Sequence, residues 1–379
     1  NVISFGKMDF KMNNVQDIYF SNDKTSISQL QTYFVCPYKF FAQYGLRLSE
    51  NKLAKISVTD IGTIIHRVVE LFTKDIEKYE KLNTEDLKSE IFNLVQIAMD
   101  ENYFTAEKNK SLVELLYKEC ENLCKYVLYE QSVSSFKFNK AEYCFDKENA
   151  IKLNNKSDRK IQIAGKIDRI DKFNDYVRVI DYKTGEIERD LKSVYYGKKI
   201  QLAIYVEAIL QSKKDKVAGI FYFPIHSEYK KEEENTKSYQ MKGFLLDDFD
   251  VLKYMDANLN EDNKASNIVE LNVSVDKKTG EIKINHFRRK CYFAKEDFDA
   301  IENYVNKLCS LAVDEILDGN VEPSPYSSNN KGNKPTSCEY CELSGFCNLK
   351  NAKYKLGRIC DKTIDKPNFY IEQENQTNE

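Results

Sequence analysis

The stretch from Ile161 to Glu186, IQIAGKIDRIDKFNDYVRVIDYKTGE, constrains this chain more than any other. Isoleucine, valine and tyrosine dominate two arms, and Asn174-Asp175 marks a polar bend, so the pattern predicts a β-hairpin. Asp168 stands in the first arm, and the second ends in Asp181-Tyr182-Lys183. Side chains two apart on a strand share a face, so Asp181 and Lys183 point the same way. Asp171, three beyond Asp168, points to the other face. Two carboxylates brought together suit a hard cation such as magnesium, which takes oxygen ligands. A lysine beside them can stabilise negative charge on an attacking water or a phosphate. The competing reading is a solvated hairpin edge whose charges face water, and the rest of the chain decides between the two.

Composition excludes several classes. The chain has 57 Lys and Arg against 60 Asp and Glu, a net charge of -3. That argues against a uniformly basic nucleic-acid binder but leaves room for a local basic groove. No apolar run is long enough to span a bilayer, and no basic flank followed by an apolar core marks a secretory signal. A cytoplasmic setting without membrane contact is expected. The absence of an initiator methionine suggests a piece of a longer chain. With no export signal, the ten cysteines are expected to be thiols or metal ligands rather than disulfides.

Residues 1–25 read as a loosely structured lead-in. Ser28 is expected to cap a helix carrying Leu30, Phe34 and Val35. Cys36-Pro37 interrupts it, and Pro37 opens a second short helix through Phe40, Phe41 and Tyr44 that Gly45 stops. Asp60-Ile-Gly-Thr-Ile-Ile-His66 begins the next helix, with His66 and Glu70 on one face. Two more helices, broken near Asn109, fill Thr84 to Gln131, and their Cys120 and Cys124 are expected in the core. A strand from Ala141 to Phe145 leads into the hairpin. A helix over Val194 to Gln211 places Gln201 and Tyr205 one turn apart. Val217–Pro224 is a strong strand, and Lys230 to Glu234 a solvated charge run. Tyr239–Leu246 reads as a further strand. Leu271–Val275 and Ile282–Ile284 form a second hairpin, and a helix over Lys295–Leu317 ends at Gly319. The sequence therefore divides into a mainly helical part (26–135), a β-rich core (136–290) and a C-terminal helix with a cysteine-bearing tail (291–379), without an evident linker.

That tail holds Cys338-x-x-Cys341 and Cys347 among Ser, Asn, Gly and Pro, a strong metal-binding signal. A fourth ligand is needed, and Cys36, Cys360 or another thiol could supply it. Thiolate chemistry alone accepts either zinc or an iron–sulfur cluster, with zinc the default.

Six motifs occur in order: Cys36-Pro37 with Phe40-Phe41 and Tyr44-Gly45-Leu46; Asp60-x-Gly62-x3-His66; Gly165-Lys-Ile-Asp168-Arg-Ile-Asp171; Ile180-Asp181-Tyr-Lys183-Thr-Gly185; Gln201-x3-Tyr205; and Cys338-x2-Cys341-x5-Cys347. Together they resemble the RecB-like branch of the PD-(D/E)xK nucleases, and in order and spacing the C-terminal nuclease domain of the B subunits of AddAB-type helicase–nucleases. Tyr195-Tyr196-Gly197, Tyr222-Phe223-Pro224 and Met241-Lys242-Gly243 add to the likeness. The resemblance implies an α/β fold, a restriction-endonuclease-like mixed sheet flanked by helices, with a helical insertion and an iron–sulfur staple between the N- and C-terminal regions. It implies His66, Asp168, Asp181 and the Tyr182 carbonyl as ligands of Mg²⁺ or Mn²⁺, Lys183 as the catalytic lysine, and Gln201 and Tyr205 as supports. It implies Cys36, Cys338, Cys341 and Cys347 as ligands of a 4Fe-4S cluster, which replaces the zinc default. Glu70 could back up His66.

The function so implied is a metal-dependent DNA exonuclease within a helicase–nuclease subunit, acting in double-strand-break processing and recombinational repair. Single-stranded DNA would be held by cations and stacking aromatics, with Arg169, Lys198, Lys199, Arg288, Arg289 and Lys290 as groove candidates. The alternative is a catalytically silent iron–sulfur or zinc module for DNA binding or docking. No Gly-x4-Gly-Lys-Ser/Thr occurs, so a motor function would belong to a partner helicase subunit.

Overall fold

The computed structural model describes residues 15–20, 22–48, 58–102, 110–156, 160–185, 187, 190–211, 214–225, 238–286, 291–327, 336–339, 341–347, 358–359 and 364–374. The chain opens with α1 (Val15–Tyr19), β1 (Lys24–Ser26), α2 (Ile27–Val35) and α3 (Pro37–Phe40), the last continued by a π-turn over Phe41–Gly45. Then come α4 (Val58–Lys74), α5 (Ile76–Tyr79), α6 (Thr84–Glu101) and α7 (Lys110–Val133). The β-rich centre holds β2 (Lys137–Phe145), β3 (Ile151–Lys152), β4 (Gln162–Phe173) and β5 (Tyr176–Lys183). It is followed by α8 (Leu191–Tyr195), α9 (Gln201–Leu210), β6 (Lys216–Pro224), β7 (Lys242–Leu246) and α10 (Phe249–Leu252). The remainder is β8 (Val273–Val275), β9 (Ile282–Ile284), β10 (Tyr292–Phe293), α11 (Lys295–Leu317), β11 (Tyr326–Ser327), β12 (Arg358–Ile359) and α12 (Pro367–Glu374).

One mixed sheet runs β1-β4-β5-β6-β7-β10, with β2 and β3 also pairing to β4. The β4–β5 hairpin is antiparallel, and Asn174 at its tip takes the left-handed φ of 51° that Asn tolerates better than most residues. β5 and β6 are parallel, joined through α8 and α9, the crossover that parallel pairing requires. Both faces of the sheet are covered, which explains why VAGIFYFP reads as a continuous apolar run. On one face Val177 and Val179 of β5 pack with Leu30 and Phe34 of α2, Ile204 and Ala208 of α9, and Val305 and Val313 of α11. On the other, Ile180 of β5 and Phe221 and Phe223 of β6 pack with Ile65 and Val69 of α4, Ile91 and Val95 of α6, and Leu123 and Val127 of α7. Cys120 and Cys124 are fully buried in this second core, as expected.

Three sequence expectations need correction. The lead-in is not loose over its last part. Val15, Tyr19 and Phe20 are buried, Tyr19 packs its ring 4.7 Å from that of Phe40, and Lys24–Ser26 adds a parallel strand to β4. Ser26, not Ser28, caps α2: its Oγ accepts from Gln29 N while Gln29 Oε1 accepts from Ser26 N, a reciprocal pair. The expected helix over Val194–Gln211 is two, because Gly197 sits at φ +77° and ends α8. Two further expectations, the break near Asn109 and the charge run from Lys230, lie outside the described residues. The N-terminal helix is tied to α11 and the turn after it by Tyr33, whose hydroxyl donates to Glu315 Oε2 at 2.6 Å and accepts from Asn320 Nδ2 at 3.0 Å.

Candidate active site

The site forms where the sheet forks. The β4–β5 ladder ends at the pair Arg169–Ile180. Asp168 and Asp181 occupy the next position on each strand, where β4 goes on with β2 and β5 with β6. The fork opens a gap that a paired ladder would close. Tyr182 N–H reaches back across it and donates to Asp168 Oδ2 at 2.9 Å. His66, on α4, brings Nε2 to 3.0 Å from the same oxygen, and its ring meets that of Tyr182 edge-on with centroids 5.2 Å apart.

Gly62 makes that approach possible. A Cβ there would lie 2.7 Å from Thr184 Cγ2, so glycine lets α4 pack directly on the loop after Lys183 without displacing that side chain. One turn later His66 is delivered to Asp168. This gives a physical reason for the spacing Asp60-x-Gly62-x3-His66.

Asp181 is almost fully buried, at 1% exposure. Its Oδ1 accepts from Gln201 Nε2 at 2.6 Å, and Lys183 Nζ lies 2.5 Å from its Oδ2. Burial and the nearby Asp168 charge push the Asp181 carboxyl up to about 6, against the pull of Lys183. Gln201 links the group: its Oε1 accepts from Lys183 Nζ at 3.0 Å, and its Nε2 also donates to Tyr205 Oη at 2.7 Å. Tyr205 Oη in turn donates to the Lys166 carbonyl at 2.8 Å, tying α9 to β4. Lys183 Nζ also stands 5.3 Å from the ring centre of Tyr222, the β6 residue in register with Asp181. The lysine head is thus held on three sides.

The donor atoms fit a divalent cation. Among the described residues, His66, Asp168 and Glu142 each offer one ligand atom within 4.8 Å of the others. Asp181 is outside that trio because its carboxylate turns toward Gln201 and Lys183. Glu142 escaped the sequence reading. It stands on β2 between the register pairs Ala141–Arg169 and Tyr143–Ile167, directly opposite Asp168. Its φ of 53° is costly for a non-glycine, by about 1–2 kcal/mol. The signal that could have found it is an acid one strand upstream of Asp168, which becomes meaningful only once the register is known. A groove of about 700 Å³ opens over the site and is lined by His66, Arg67, Glu142, Lys166, Tyr182 and Lys183, among others.

Other expected residues lie elsewhere. Glu70 pairs with Arg67 and Lys74 rather than with His66. Arg169 cannot touch DNA: it is fully buried on the opposite face of the hairpin. There it donates to Asp171 at 2.7 Å and to Glu130 at 2.8 Å, while Arg178 donates to both acids as well. Asp171 belongs to this buried quartet. Lys198 and Lys199 are partly exposed, and Arg288, Arg289 and Lys290 lie outside the described residues.

The four expected cluster cysteines come from both ends of the chain. Cys36 is buried at the α2–α3 junction. Burial pushes its thiol up, the backbone N–H groups of Lys39, Tyr38 and Ser324 pull it down, and Cys341 raises it further. Burial raises the Tyr38 phenol first, and then Cys347 and Cys36 raise it. So Cys341 and Cys347 approach the N-terminal helices although they lie about three hundred residues away in sequence. N–H groups directed at a sulfur suit a metal-bound thiolate, but the one group of three ligand atoms within 4.8 Å among the described residues is His66, Glu142 and Asp168, not these thiols. Cys360 lies outside the described residues.

With this geometry in view, the model of the PD-(D/E)XK nuclease superfamily matches residues 24–348. The chain belongs to that superfamily. It is 30% identical over 388 residues to the B subunit of the ATP-dependent helicase/deoxyribonuclease of Clostridium tetani, covering 93% of this chain and 32% of the relative. The protein of the same name from Alkaliphilus metalliredigens is 31% identical over 372 residues, covering 90% of this chain and 31% of the relative. Its Clostridium perfringens counterpart is 30% identical over 366 residues, covering 87% and 31%. The chain therefore spans about a third of the length of these curated relatives. Among the described residues no helix is long and apolar enough to cross a membrane.

Proposed function

We propose that this chain is the deoxyribonuclease part of a helicase–nuclease subunit, a single nuclease domain that takes in the packed residues from Val15 as well as the expected 26–379, and that it cuts DNA with Mg²⁺ or Mn²⁺. The observation that carries the reading is the sheet fork, where Asp168 and Asp181 sit side by side with His66 and Lys183 at hand. His66, Asp168, Asp181 and the Tyr182 carbonyl would hold the ion. When bound, it supplies positive charge at the scissile phosphate and acidifies water beside it.

The protein's own residues do the rest. Lys183, a cation fixed by Asp181, Gln201 and the Tyr222 ring, orients the attacking water and stabilises the charge that builds on phosphorus oxygens. Gln201 and Tyr205 keep Asp181 and Lys183 in register with β4. A water oxygen attacks phosphorus as the P–O3′ bond breaks. The attacking water gives up its proton to solvent, the 3′ oxygen takes one from a solvent water and leaves as an alcohol, and a 5′-phosphate remains. Exonucleolytic cutting of single-stranded DNA is the expected mode, with the groove of about 700 Å³ over the site as the path of the strand.

Cys36, Cys338, Cys341 and Cys347 would bind a 4Fe-4S cluster that pins the N-terminal helices to the tail. Joining thiols from both ends of the chain closes a loop of about three hundred residues, and the binding energy of the metal group offsets that entropy. A partner helicase subunit would deliver the unwound strand, in a cytoplasmic setting, for double-strand-break processing and recombinational repair.

The test is end-labelled single-stranded DNA incubated with Mg²⁺ and the wild-type chain, Asp181→Ala or Lys183→Ala. Cleavage by wild type alone is expected. Equal cleavage by all three would overturn the site, and DNA retention without turnover by wild type would indicate a silent docking module.

A further inference from the structure

We propose that the side chain of Tyr182 is a positioning residue for His66: its ring is the wall that sets the imidazole plane, and its hydroxyl is anchored on Arg169 of the buried quartet. The inference rests on the metal-dependent reading above and adds a side chain that acts through another rather than on the substrate. Alternation along β5 puts the Tyr182 ring on the face opposite Asp181 and Lys183, among the side chains of the second core. There the ring meets that of His66 edge-on, with the planes at 89° and the centroids 5.2 Å apart, and its centroid lies 5.5 Å from that of Phe223. Its backbone N–H donates to Asp168 Oδ2 at 2.9 Å, the oxygen that His66 Nε2 approaches to 3.0 Å. One residue thus holds the acid through its main chain and the imidazole through its side chain.

The far end of the ring explains why it stays in place. Asp171 takes Nε and Nη2 of Arg169 at 2.7 Å each, and Glu130 shares Nη2 at 2.8 Å. Arg169 Nη1 is left without an acid. That nitrogen and Tyr182 Oη are both shut off from water, and neither is hydrogen-bonded elsewhere. The two groups sit in each other's field: burial pushes the phenol up to about 12, and the Arg169 guanidinium pulls against it. Buried polar atoms are rarely left unmatched, and the pairing that answers both is Tyr182 Oη accepting from Arg169 Nη1. A phenylalanine would fill the same space with no hydroxyl to satisfy. His66 needs such a stop because its side chain is 30% exposed and opens on the groove. A braced ring behind it limits the turning of the imidazole before any ion binds, so less ordering is left to be done on binding.

The test has a metal-free arm and a metal arm, both on the whole chain without DNA. The sequence holds three histidines, so ¹³C labelling at histidine Cε1 gives a sparse spectrum in which His66→Gln assigns the His66 resonance. Tyr182→Phe keeps the ring and loses the anchor, so a shifted or broadened His66 resonance in that variant is expected and reports a loosened imidazole. Mn²⁺ affinity per folded molecule, read from the loss of the free-ion electron paramagnetic resonance signal, is expected to weaken severalfold in Tyr182→Phe and by about tenfold in Tyr182→Leu. A purely structural tyrosine would lower stability and leave both readouts of the folded molecule unchanged, and that result overturns the inference. Wild-type values in Tyr182→Phe with weakened binding in Tyr182→Leu overturn the anchor on Arg169. If wild type takes up no Mn²⁺, the metal-dependent reading falls, and the His66 resonance alone decides whether Tyr182 positions the imidazole. Should Tyr182→Leu fail to fold, Tyr182→Phe decides alone, and values equal to wild type in both arms overturn the proposal.

Discussion

The two faces of one hairpin carry charges to opposite ends. Below the sheet, Arg169 and Arg178 meet Glu130 and Asp171, with every member fully buried and the charges in balance. Ser134 and the Phe136 carbonyl accept the remaining Arg178 donors at 3.2 and 3.3 Å. At the fork, Asp168, Asp181 and Glu142 outnumber their cations, and burial pushes the Asp181 carboxyl up to about 6. A balanced buried network fixes geometry, and one partner removed leaves a stranded charge. An unbalanced set waits for something positive. Arg169 and Asp168 are neighbours in sequence, yet one belongs to scaffolding and the other to chemistry.

That contrast can be broken or sharpened by experiment. The largest effect is expected from Asp181→Ala and Lys183→Ala, which should each reduce DNA cleavage by about a thousandfold or more. Thermal melting should not fall for Asp181→Ala, which removes a buried charge that the metal-free fold tolerates at a cost, whereas Lys183→Ala leaves Asp181 without its cation and should melt lower. Glu130→Ala should do the reverse. It leaves two buried guanidinium groups sharing Asp171 alone, one positive charge in excess, and should destabilise the fold by about 3–5 kcal/mol in urea, with cleavage per folded molecule retained. Loss of cleavage ahead of unfolding would show that the two faces are not separable.

The third effect concerns pH. Because the folded Asp181 pKa is raised above its unfolded value, the folded state holds the proton more tightly than the unfolded one. The associated stability is present below about pH 4 and is lost as pH rises to about 6, by about 2–3 kcal/mol. Urea midpoints of metal-free protein across this window should fall for wild type and stay flatter for Asp181→Asn, and added Mn²⁺ should offset the fall. The smallest effect is expected from Tyr205→Phe, which removes the hydroxyl between Gln201 and the Lys166 carbonyl. It should cost about 1 kcal/mol in urea and slow cleavage severalfold, and unchanged cleavage would show that Gln201 alone holds Asp181.

Much of this arrangement can be read along the chain, and the exceptions have a common cause. The hairpin, its bend at Asn174 and the shared face of Asp181 and Lys183 follow from alternation, which is local. The bounds of α11 at Lys295 and Leu317 follow from helical period and the glycine beyond it. Glu142 and Arg169 could not be judged that way. An acid in AEYCF is ordinary until β2 is known to pair with β4, and an arginine after Asp168 looks solvated until α7 is known to bring Glu130 beneath it. The ordered part of the lead-in likewise depends on β4 as a partner. What pairing partners decide, spacing along one strand does not.

The bond from Tyr33 to Glu315 has a consequence for biosynthesis. Its two ends are separated by 282 positions, and Lys24 likewise waits for Gln162 before β1 has a neighbour. The early helices therefore leave the ribosome long before the surface that receives them exists. Closure over so wide a separation is slow, so the opening helices should be the last of these elements to dock.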